Sequence, residues 1–355
     1  MAKKICVGVV FGGKSGEHEV SLVSAASVIK EMPKDKYTVK EVGIAKNGKW
    51  YVGKDVLKKF KNGDFKGLKK VSFEDALKNC DVAFPVLHGP FGEDGTIQGL
   101  FEMMNIPYVG CGVLASSLCM DKALLKQVLR DCGISVVPSV EFMRNEWKVG
   151  SKKLAKEIKF PCFVKPANMG SSVGISKVKN SSSLAGAINF AFEFDSKVLV
   201  EKAVNAREIE CAILGNEDPR AAELGEIIVG GEFYDYYDKY VNGKSSTQVP
   251  VKNLAAKKKK EISEMCLMAY KAAGCSGLSR VDCFLDRKTG KVYLNEINTL
   301  PGFTSISMYP KMWQASGLNY PKLIDVLIQL GLKRFAEKQK NKISFDSGSN
   351  WFQTP

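Results

Sequence analysis

Three oxygen-bearing side chains in the last third of the chain have the types and spacing of a metal site. Asp282 lies in the apolar run at 281–285, and Glu296 and Asn298 end the next apolar run. Alternate residues of a strand share one face, and a hairpin with Thr289-Gly290 at its turn can bring Asp282 alongside the other two. Two carboxylates and an amide oxygen suit Mg2+, above all Mg2+ that carries phosphates. The alternative is a pair of solvated strand ends.

The segments that must position this site alternate between strand and helix patterns. In about the first 110 residues the alternation predicts an α/β domain with a buried parallel sheet. The predicted strands of this domain are 5–11, 37–44 and 82–87, and its predicted helices are 20–32 and 96–104.

A second unit is predicted to begin near Asp121. It opens with a helix whose buried face we assign to its apolar residues. These residues are Leu124, Leu125, Val128 and Leu129. Strands are predicted at 136–142, 162–165 and 198–202. A third unit, from about 207 to 335, holds the candidate metal ligands.

A glycine-serine segment at 170–174, GSSVG, follows the predicted strand that ends at Lys165. Small residues let backbone N–H groups approach a phosphate closely, and a lysine at the strand end adds a positive charge. Lys122, at the start of the second unit, is another candidate cation. Glu201-Lys202 ends an apolar strand and can offer backbone groups to an adenine edge. Each signal alone also fits an ordinary turn or connection.

Both histidines of the chain lie just after predicted strands of the first domain. His18 belongs to the segment EHEVS at 17–21, and His88 opens the segment HGPFGEDGT at 88–96. Ligands of open α/β sheets bind outside the carboxyl ends of the strands, so these two loops form a candidate crevice. A plain helix cap at Asp94 is the alternative for the second loop, and the two interpretations are compatible.

Residues 8–15, GVVFGGKS, match the phosphate-binding pattern G-x-x-x-x-G-K-[ST]. That motif requires a full strand before its first glycine and a loop after it. Here the strand has only residues 5–7 before Gly8, and it continues through residues 9–11, where the motif requires a loop. We therefore expect a strand that ends at Gly12-Gly13, and a P-loop-like protein remains a remote alternative.

Composition predicts an ordinary globular protein. The chain has 355 residues, of which 45% are hydrophobic and 25% charged, enough for two or three domains. No apolar stretch approaches the length of a membrane span, so we expect a cytoplasmic protein without a membrane partner. Ten cysteines without a Cys-x-x-Cys pair favour free thiols in a reducing compartment.

The formal charge of +14 allows two interpretations. One is a nucleic acid or another polyanion as partner, and the other is a lysine-rich, solvated surface. The lysine run at 257–260 lacks the interleaved aromatic residues that base stacking requires. We therefore expect no nucleic-acid partner, although a phosphate-bearing small ligand can use part of the charge.

Several sequence blocks occur together, in order, along residues 3–335. They are Gly12-Gly13-x-Ser15-x-Glu17-x-Glu19-Val20-Ser21, His88-Gly-x-x-Gly-Glu-Asp-Gly95, Met120-Asp121-Lys122, Lys165-Pro166 with 170–174, Tyr234-Asp235-Tyr236-x-x-Lys239-Tyr240, Arg280-x-Asp282 and Glu296-x-Asn298-Thr299-x-Pro301-Gly302-Phe303-Thr304-Ser305. In this order they resemble the D-alanine–D-alanine ligases of the ATP-grasp superfamily. The ordered set is far more specific than any single block.

The resemblance implies a three-domain ATP-grasp fold, α/β overall and α+β in its carboxyl-terminal part. A Rossmann-like parallel-sheet domain would span 1–118, a central ATP-grasp subdomain 119–203, and a carboxyl-terminal subdomain with the metal site 204–340. Residues 341–355 would form a loose tail. Family members are usually dimers, so a homodimer is implied.

For the nucleotide, the resemblance implies ATP between the second and third units. The implied contacts are Lys122, Lys165, Gly170, Ser171, Ser172, Glu201, Lys202, Glu208 and Lys239. The two lysines Lys122 and Lys165 would meet the phosphates beneath the glycine-serine lid. Glu201 and Lys202 would lie at the adenine and Glu208 at the ribose.

For the metal, Asp282, Glu296 and Asn298 would bind two Mg2+, with Glu296 bridging and Mn2+ as a possible substitute. The implied reaction joins two D-alanine molecules for peptidoglycan precursor synthesis. The carboxylate of the first D-alanine attacks the γ-phosphate of ATP, and the amine of the second then attacks the acyl phosphate. Arg280 and the backbone N–H of Gly302 are the candidates that stabilise the developing charge.

For the substrates, Glu17 would hold the ammonium of the first D-alanine. His88 would lie near its carboxylate, with Glu93 counted among the substrate-binding residues. Ser171 and Tyr240 would connect Glu17 to the loop at 232–248. Ser307 would hold the carboxylate of the second D-alanine.

Two departures from the family pattern concern the second substrate. Ile306 stands where many relatives have histidine, in Thr304-Ser305-Ile306-Ser307. Met308 stands where D-serine-using relatives have arginine, which favours D-alanine as acceptor. Tyr240 argues against D-lactate. A sister ligase that uses D-serine, or less readily D-lactate, remains the alternative.

Overall fold

The structure is a computed structural model that describes residues 3–147, 158–228, 246–342 and 344. Its first part is a sheet covered by helices on both faces. The elements are β1 (Ile5–Gly12), α1 (His18–Glu31), β2 (Tyr37–Ile44), β3 (Trp50–Val52), α2 (Val56–Lys61), β4 (Lys69–Val71), α3 (Phe73–Leu77), β5 (Val82–Val86) and α4 (Thr96–Met103).

This first sheet has the strand order β4-β3-β2-β1-β5. β1 pairs in parallel with β2 and β5, as the continuous apolar runs predict. β3 and β4 extend the sheet in the antiparallel direction, so the sheet is mixed rather than wholly parallel. The turn into β3 contains Gly48 at φ 81°, which glycine adopts without strain.

The P-loop interpretation of residues 8–15 finds no support in this sheet. β1 continues through Phe11 to Gly12, and α1 begins only at His18. Residues 9–11 lie in the parallel register with β2, where a P-loop would have to leave the sheet.

The central part is a four-stranded antiparallel sheet with helices. Its elements are α5 (Val113–Met120), α6 (Lys122–Asp131), β6 (Ser139–Met143), β7 (Cys162–Pro166), β8 (Ser176–Val178), α7 (Leu184–Ala191) and β9 (Lys197–Lys202). The strand order is β6-β9-β7-β8. The strand predicted from Val136 begins at Ser139 instead, because Val136 makes only an isolated bridge to Leu294 of the third part.

The predicted buried face of α6 is wrong in part. Leu124 is 45% exposed, whereas Leu125 and Leu129 are fully buried. The buried face instead includes two lysines, Lys122 and Lys126, at positions i and i+4. Hydrophobicity alone could not identify this face, because the lysines face a charged interior that other strands supply.

The third part is an antiparallel sheet flanked by long helices. Its elements are β10 (Ala206–Gly215), β11 (Arg220–Ala221), β12 (Gly225–Ile228), β13 (Ser246–Gln248), α8 (Ala256–Ala272), β14 (Gly277–Asp286), β15 (Val292–Asn298), α9 (Met308–Ala315) and α10 (Tyr320–Lys338). The strand order is β13-β12-β10-β14-β15, with β11 on β10. The predicted hairpin around Thr289-Gly290 is the β14–β15 pair.

β10 is buried on both faces. Ala212 and Leu214 pack into the core that α9 and α10 cover, whereas Cys211 and Ile213 pack into the core that α8 covers. Alternate residues of a strand point to opposite faces, so this one strand separates the two cores.

α10 returns to the first sheet and ties the third part to the first. Tyr37 donates a hydrogen bond to Asp325 at 2.5 Å. The Arg334 guanidinium lies 4.3 Å from the centre of the Tyr108 ring and donates to the Tyr108 carbonyl at 3.1 Å. A Cβ on Gly331 would stand 2.6 Å from that carbonyl, so the close approach requires glycine.

All ten cysteines lie within the described residues, and each is a free thiol, as predicted. Seven of the ten are buried or nearly so in the cores, where a thiol behaves as a small apolar side chain. Across the described ranges, none of the helices combines the length and the apolar character that crossing a bilayer requires.

Two tyrosines fix helices to β10 from its opposite faces, and both can be tested. The Tyr309 hydroxyl donates to the Ile213 carbonyl at 2.8 Å, and the Tyr270 hydroxyl donates to the Gly215 carbonyl at 2.6 Å. Tyr309→Phe and Tyr270→Phe should each lower the free energy of unfolding by about 1 kcal/mol, because each removes a buried hydrogen bond. Urea unfolding measures this loss, and an unchanged midpoint in both variants would contradict the assignment.

Candidate active site

The three predicted metal ligands meet on one face of the β14–β15 hairpin. Asp282 stands directly opposite Glu296, and Arg280 stands opposite Asn298. The register shifts after this pair, because Cys283 already faces Leu294 and leaves Asn295 as the extra residue. Such a bulge bends the strand and redirects its side chains. Glu296 and Asn298 therefore lie beside Asp282, as the sequence predicts.

Arg280 holds the Asp282 carboxylate in place. Its Nε and one terminal nitrogen donate to the two carboxylate oxygens of Asp282, each at 2.7 Å. Arg280 also lies 3.3 Å from Glu210 on β10. Burial disfavours the charged guanidinium, but Asp282 and Glu210 outweigh it and raise the pKa of Arg280 well above its ordinary value.

The donor set fits a hard divalent cation. Asp282 and Glu296 supply carboxylate oxygens, and the Asn298 amide nitrogen donates to Asp282 at 2.9 Å, which leaves its amide oxygen for a ligand. Asp282 Oδ2 accepts from both Arg280 and Asn298, whereas Oδ1 accepts from Arg280. The side chains of Asp282 and Glu296 are 15% and 26% exposed, so the pair is sheltered yet reachable.

Two buried lysines of the central part lie close to acidic side chains. Lys122 lies 3.8 Å from a Glu296 oxygen of the hairpin and donates to the Met169 carbonyl at 2.7 Å. Lys165, near the end of β7, lies 2.6 Å from Glu201 on β9. Their positive charges thus stand beside the Glu296 and Glu201 carboxylates in a sheltered place. A polyphosphate is the kind of anion that such an arrangement can bind.

The glycine-serine segment reaches across to the first domain. The Ser171 hydroxyl donates a short hydrogen bond to the Glu17 carboxylate. A Cβ on Gly170 would stand 3.0 Å from the same carboxylate, so a larger residue would crowd this approach. Ser171 and Ser172 both have positive φ, at 50° and 61°, a conformation that non-glycine residues rarely adopt. Strain at this position is typical of a ligand-binding loop.

His88 joins the first domain to the loop that follows β15. Its Nδ1 lies 3.1 Å from the Leu300 carbonyl and its Nε2 lies 3.0 Å from the Ser24 hydroxyl. A carbonyl only accepts, so Nδ1 carries a hydrogen. Burial opposes the charged ring, but Glu93 and Glu17 outweigh it and raise the pKa of His88.

Glu93 lies 3.7 Å from His88, as their shared loop allows. Burial raises the pKa of Glu93, and His88 offsets part of this effect. Ser15 completes the contact between the two predicted crevice loops, since its hydroxyl donates to the His88 carbonyl at 2.6 Å and accepts from Glu17 N at 3.2 Å.

The loop before α9 forms a small polar cradle around Ser307. The Ser307 hydroxyl accepts from Thr304 N at 3.0 Å and lies 2.8 Å from the Thr304 hydroxyl. A Cβ on Gly302 would stand 3.0 Å from the same hydroxyl. Ile306, which replaces the histidine of many relatives, is 75% exposed.

Met308 does not face open space. It is 6% exposed, and a Cβ on Gly225 would stand 2.3 Å from its terminal methyl group. Met308 therefore packs beneath the sheet, in the core that α9 covers.

The remaining predicted nucleotide contacts are Lys202, Glu208 and Lys239, and Tyr240 is the remaining predicted catalytic residue. Lys202 ends β9 with an exposed side chain. Glu208 is half-buried on β10, the strand that pairs with β14. It lies two residues before Glu210, so the two side chains are on the same face of the sheet. Lys239 and Tyr240 lie outside the described residues.

Sequence reasoning missed three buried polar residues that support the site. They are Ser24 beneath His88, Glu210 behind Arg280, and Lys126 behind Glu201. Two of them carried a usable signal, because a charged residue within an apolar strand or on the apolar face of a helix requires a partner. Ser24 carried none, since serine is ordinary in helix α1.

Two family models match the chain. The model described as the D-ala D-ala ligase N-terminus matches residues 6–111, and the model described as the D-ala D-ala ligase C-terminus matches residues 128–329. A curated D-alanine–D-alanine ligase from a Thermoanaerobacter species is 46% identical over 352 residues, which cover 94% of this chain and 98% of the relative.

Solved structures give the same result. The VanG D-Ala:D-Ser ligase from Enterococcus faecalis is 39% identical, with a TM-score of 0.83 over 93% of this chain and 100% of that one. The D-alanine–D-alanine ligase from Coxiella burnetii is 37% identical, with a TM-score of 0.84 over 96% and 97%. Both halves of the chain, the three sheets and the ordered motifs thus agree: the chain belongs to the D-alanine–D-alanine ligase family.

Proposed function

We propose that this protein joins two D-alanine molecules with ATP and Mg2+ to give D-alanyl-D-alanine for peptidoglycan precursor synthesis. Family membership supports the ATP-dependent ligation. The observation that carries the proposal is the Asp282–Glu296 pair, which lies beside Lys122 on the face that also holds Arg280. This arrangement combines acidic metal ligands with cations for phosphate. Release of inorganic phosphate from ATP, dependent on D-alanine, tests the activity directly.

The nucleotide occupies the space between the central and third parts. Lys122 and Lys165 contact its phosphates, beneath the lid that Gly170, Ser171 and Ser172 form. Glu201 and Lys202 contact the adenine, Glu208 contacts the ribose, and Lys239 completes the set. The approach of buried Lys122 to Glu296 supports this assignment, since it brings a phosphate-binding cation beside the metal ligands.

Asp282, Glu296 and Asn298 would hold the two Mg2+, for which Mn2+ would be an effective substitute. When bound, the ions polarise the transferring phosphoryl group and offset its negative charge. Lys122 and Arg280 supply further positive charge from fixed positions, so little reorganisation is needed as charge develops.

The first D-alanine is held by the first domain. Glu17 binds its ammonium group, and His88 with Glu93 orients its carboxylate toward the phosphates. The carboxylate attacks the γ-phosphate, which gives an acyl phosphate and ADP. Ser171, with Tyr240, closes the lid on Glu17 and excludes water, which would otherwise hydrolyse the acyl phosphate.

The second D-alanine binds in the loop before α9. Ser307 holds its carboxylate, and its amine attacks the acyl phosphate carbonyl. The tetrahedral oxyanion is stabilised by Arg280 and the N–H of Gly302, and phosphate then leaves. The hydroxyl of Ser307 lies close to Gly302, which supports a shared subsite.

Domain organisation and assembly complete the proposal. We assign a Rossmann-like domain to 1–118, a central subdomain to 119–203, a carboxyl-terminal subdomain to 204–340 and a tail to 341–355. The first boundary falls near the end of α5, which connects the first two units. The protein acts in the cytoplasm as a homodimer.

Glu296→Gln should abolish turnover while preserving the fold. A neutral amide would be a weaker ligand for a divalent cation than a carboxylate, and the bound metal would supply several kcal/mol, so kcat should fall by at least about 100-fold. Phosphate release and Mn2+ titration are the two measurements. Glu264→Gln, on an exposed carboxylate of α8 that is 62% exposed, is the control and should behave as wild type. Near-normal turnover and Mn2+ binding in Glu296→Gln would contradict the metal assignment.

Ser171→Ala should weaken closure of the lid. A hydrogen bond to a charged group contributes about 1.5–3 kcal/mol, so kcat/KM for D-alanine should fall by roughly 10- to 100-fold. Steady-state kinetics with varied D-alanine measure this effect. Ser182→Ala, on an exposed serine of the central part, is the matched control and should have no effect. Equal kcat/KM values for the two variants would show that the Ser171–Glu17 bond has no role.

Met308→Arg tests acceptor choice. A guanidinium beneath Gly225 must turn toward the second subsite to avoid burial without a partner, and there it can bind the D-serine hydroxyl through water or directly. The ratio of D-alanyl-D-serine to D-alanyl-D-alanine should rise by at least about tenfold. Met308→Leu conserves volume and should keep the wild-type ratio. An unchanged ratio in Met308→Arg, with the fold intact, would exclude this position as the determinant.

A further inference from the structure

Lys126 is a fully buried lysine in the middle of α6. Its exposure is 0%, and it lies one helical turn after Lys122. Taking an ammonium group out of water is costly unless a partner compensates it. That partner is Glu201 on β9, whose Oε1 lies 2.9 Å from the Lys126 Nζ.

Glu201 serves two lysines at once. Its other oxygen, Oε2, lies 2.6 Å from the Nζ of Lys165 on β7. Glu201 pairs with Phe163 across the β7–β9 ladder, so Lys165 is its diagonal neighbour on the same face. A helix and two strands thus converge on one carboxylate, which is 2% exposed.

The charges in this cluster are strongly coupled. Burial disfavours the Glu201 carboxylate, but Lys126 and Lys165 outweigh it and lower its pKa to about 2. Burial also lowers the pKa of Lys126. The positive charge of Lys165 adds to this decrease, whereas Glu201 and, more weakly, Glu296 oppose it. The charged groups of this cluster are therefore Lys126 on α6, Glu201 on β9, Lys165 on β7 and, further away, Glu296 on β15.

The backbone around the cluster is fixed. Lys122 N donates to the Ala167 carbonyl at 3.1 Å, and the Asp121 side chain caps α6 by accepting from Ala123 N and Leu124 N. Ala123, Ala167 and Leu199 form a small apolar cluster between the helix and the two strands. Lys126 therefore presents its ammonium group to Glu201 from a rigid base.

We propose that Lys126 is a positioning residue for the nucleotide: through Glu201 it fixes Lys165 toward the phosphates and keeps the Glu201 carboxylate oriented. This inference rests on the proposed function, because it takes Lys165 and Glu201 as nucleotide contacts. A purely structural role is a poor explanation, since well-packed apolar residues often stabilise an interior as well as buried ion pairs do.

Lys126→Met removes the charge and keeps most of the volume. Without Lys126 the Glu201 carboxylate pairs with Lys165 alone and draws it away from the phosphates. KM for ATP should rise by at least about tenfold, while KM for D-alanine should stay within about twofold of wild type. Calorimetric binding of a non-hydrolysable ATP analogue with Mg2+ measures the same loss independently of ligation.

The pH dependence separates positioning from stability. Loss of Lys126 raises the pKa of Glu201, because it removes the largest favourable charge on that carboxylate. Protonated Glu201 no longer orients Lys165, so in Lys126→Met the affinity for the analogue should decline on acidification at a higher pH than in wild type. Wild type keeps Glu201 charged far below neutral pH, and the terminal phosphate of the analogue titrates alike with both proteins, so the additional decline of the variant relative to wild type over about pH 5–8 reports Glu201.

Leu129→Ala is the matched control. Leu129 is a fully buried residue of the same helix, one turn beyond Leu125, and it has no charge to share with Glu201. Its removal should lower Tm through a cavity but leave KM for ATP unchanged. In the double variant Lys126→Met/Glu201→Gln, both changes act on one linkage. Its affinity for the analogue should therefore equal or exceed that of the single variant with the lower affinity.

Two results would overturn the inference. One is a KM for ATP in folded Lys126→Met within about twofold of wild type, and the other is an equal shift in Leu129→Ala. Should Lys126→Met not fold, Lys126→Gln carries the same expectations and the same refutation. Failure of the proposed function is distinct, because wild type itself would then neither bind the analogue nor release phosphate with D-alanine.

Discussion

The site depends on holding two carboxylates against each other. Asp282 and Glu296 are direct cross-strand neighbours, a pairing of like charges that destabilises a sheet unless cations compensate it. Arg280 bonds both oxygens of Asp282, and Lys122 approaches Glu296 from another part of the chain. Two adjacent carboxylates beside these cations make a place where a divalent cation with phosphates is electrostatically favoured.

The other parts of the molecule are arranged so that their polar loops reach this pair. At the site itself, loops of different parts meet through hydrogen bonds, from Ser171 to Glu17 and from His88 to the Leu300 carbonyl. Such bonds can break and re-form at low cost, which suits a site that must admit and then enclose its ligands. By contrast, α10 packs on the first sheet through a buried core and keeps the first and third parts in fixed relation.

The interior between the central and third parts is unusual for its buried cations. Lys122, Lys126 and Lys165 are all buried, and Glu201 is the acidic residue that links two of them. Lys126 and Lys165 share the single carboxylate of Glu201, and such an arrangement becomes more favourable when an anion approaches. Part of the +14 charge of the chain is thus buried between these parts rather than spread over a solvated surface.

The amino-acid sequence by itself determined the main strands and pointed to the candidate ligand residues. Apolar runs located β1, β2 and β5, and the turn at Thr289-Gly290 predicted the hairpin that pairs Asp282 with Glu296. The ordered motifs identified the family. Local patterns suffice here because each depends on neighbours a few residues apart.

Only the tertiary structure decided which distant charges meet. The buried face of α6 could not be found from hydrophobicity, because Lys126 is tolerated there only through Glu201, 75 residues further along the chain. The packing of Met308 under Gly225 and the link from His88 to Leu300 likewise join segments far apart in sequence. Burial of a charged or polar group depends on its partner, and the partner's position is a property of the fold rather than of the local sequence.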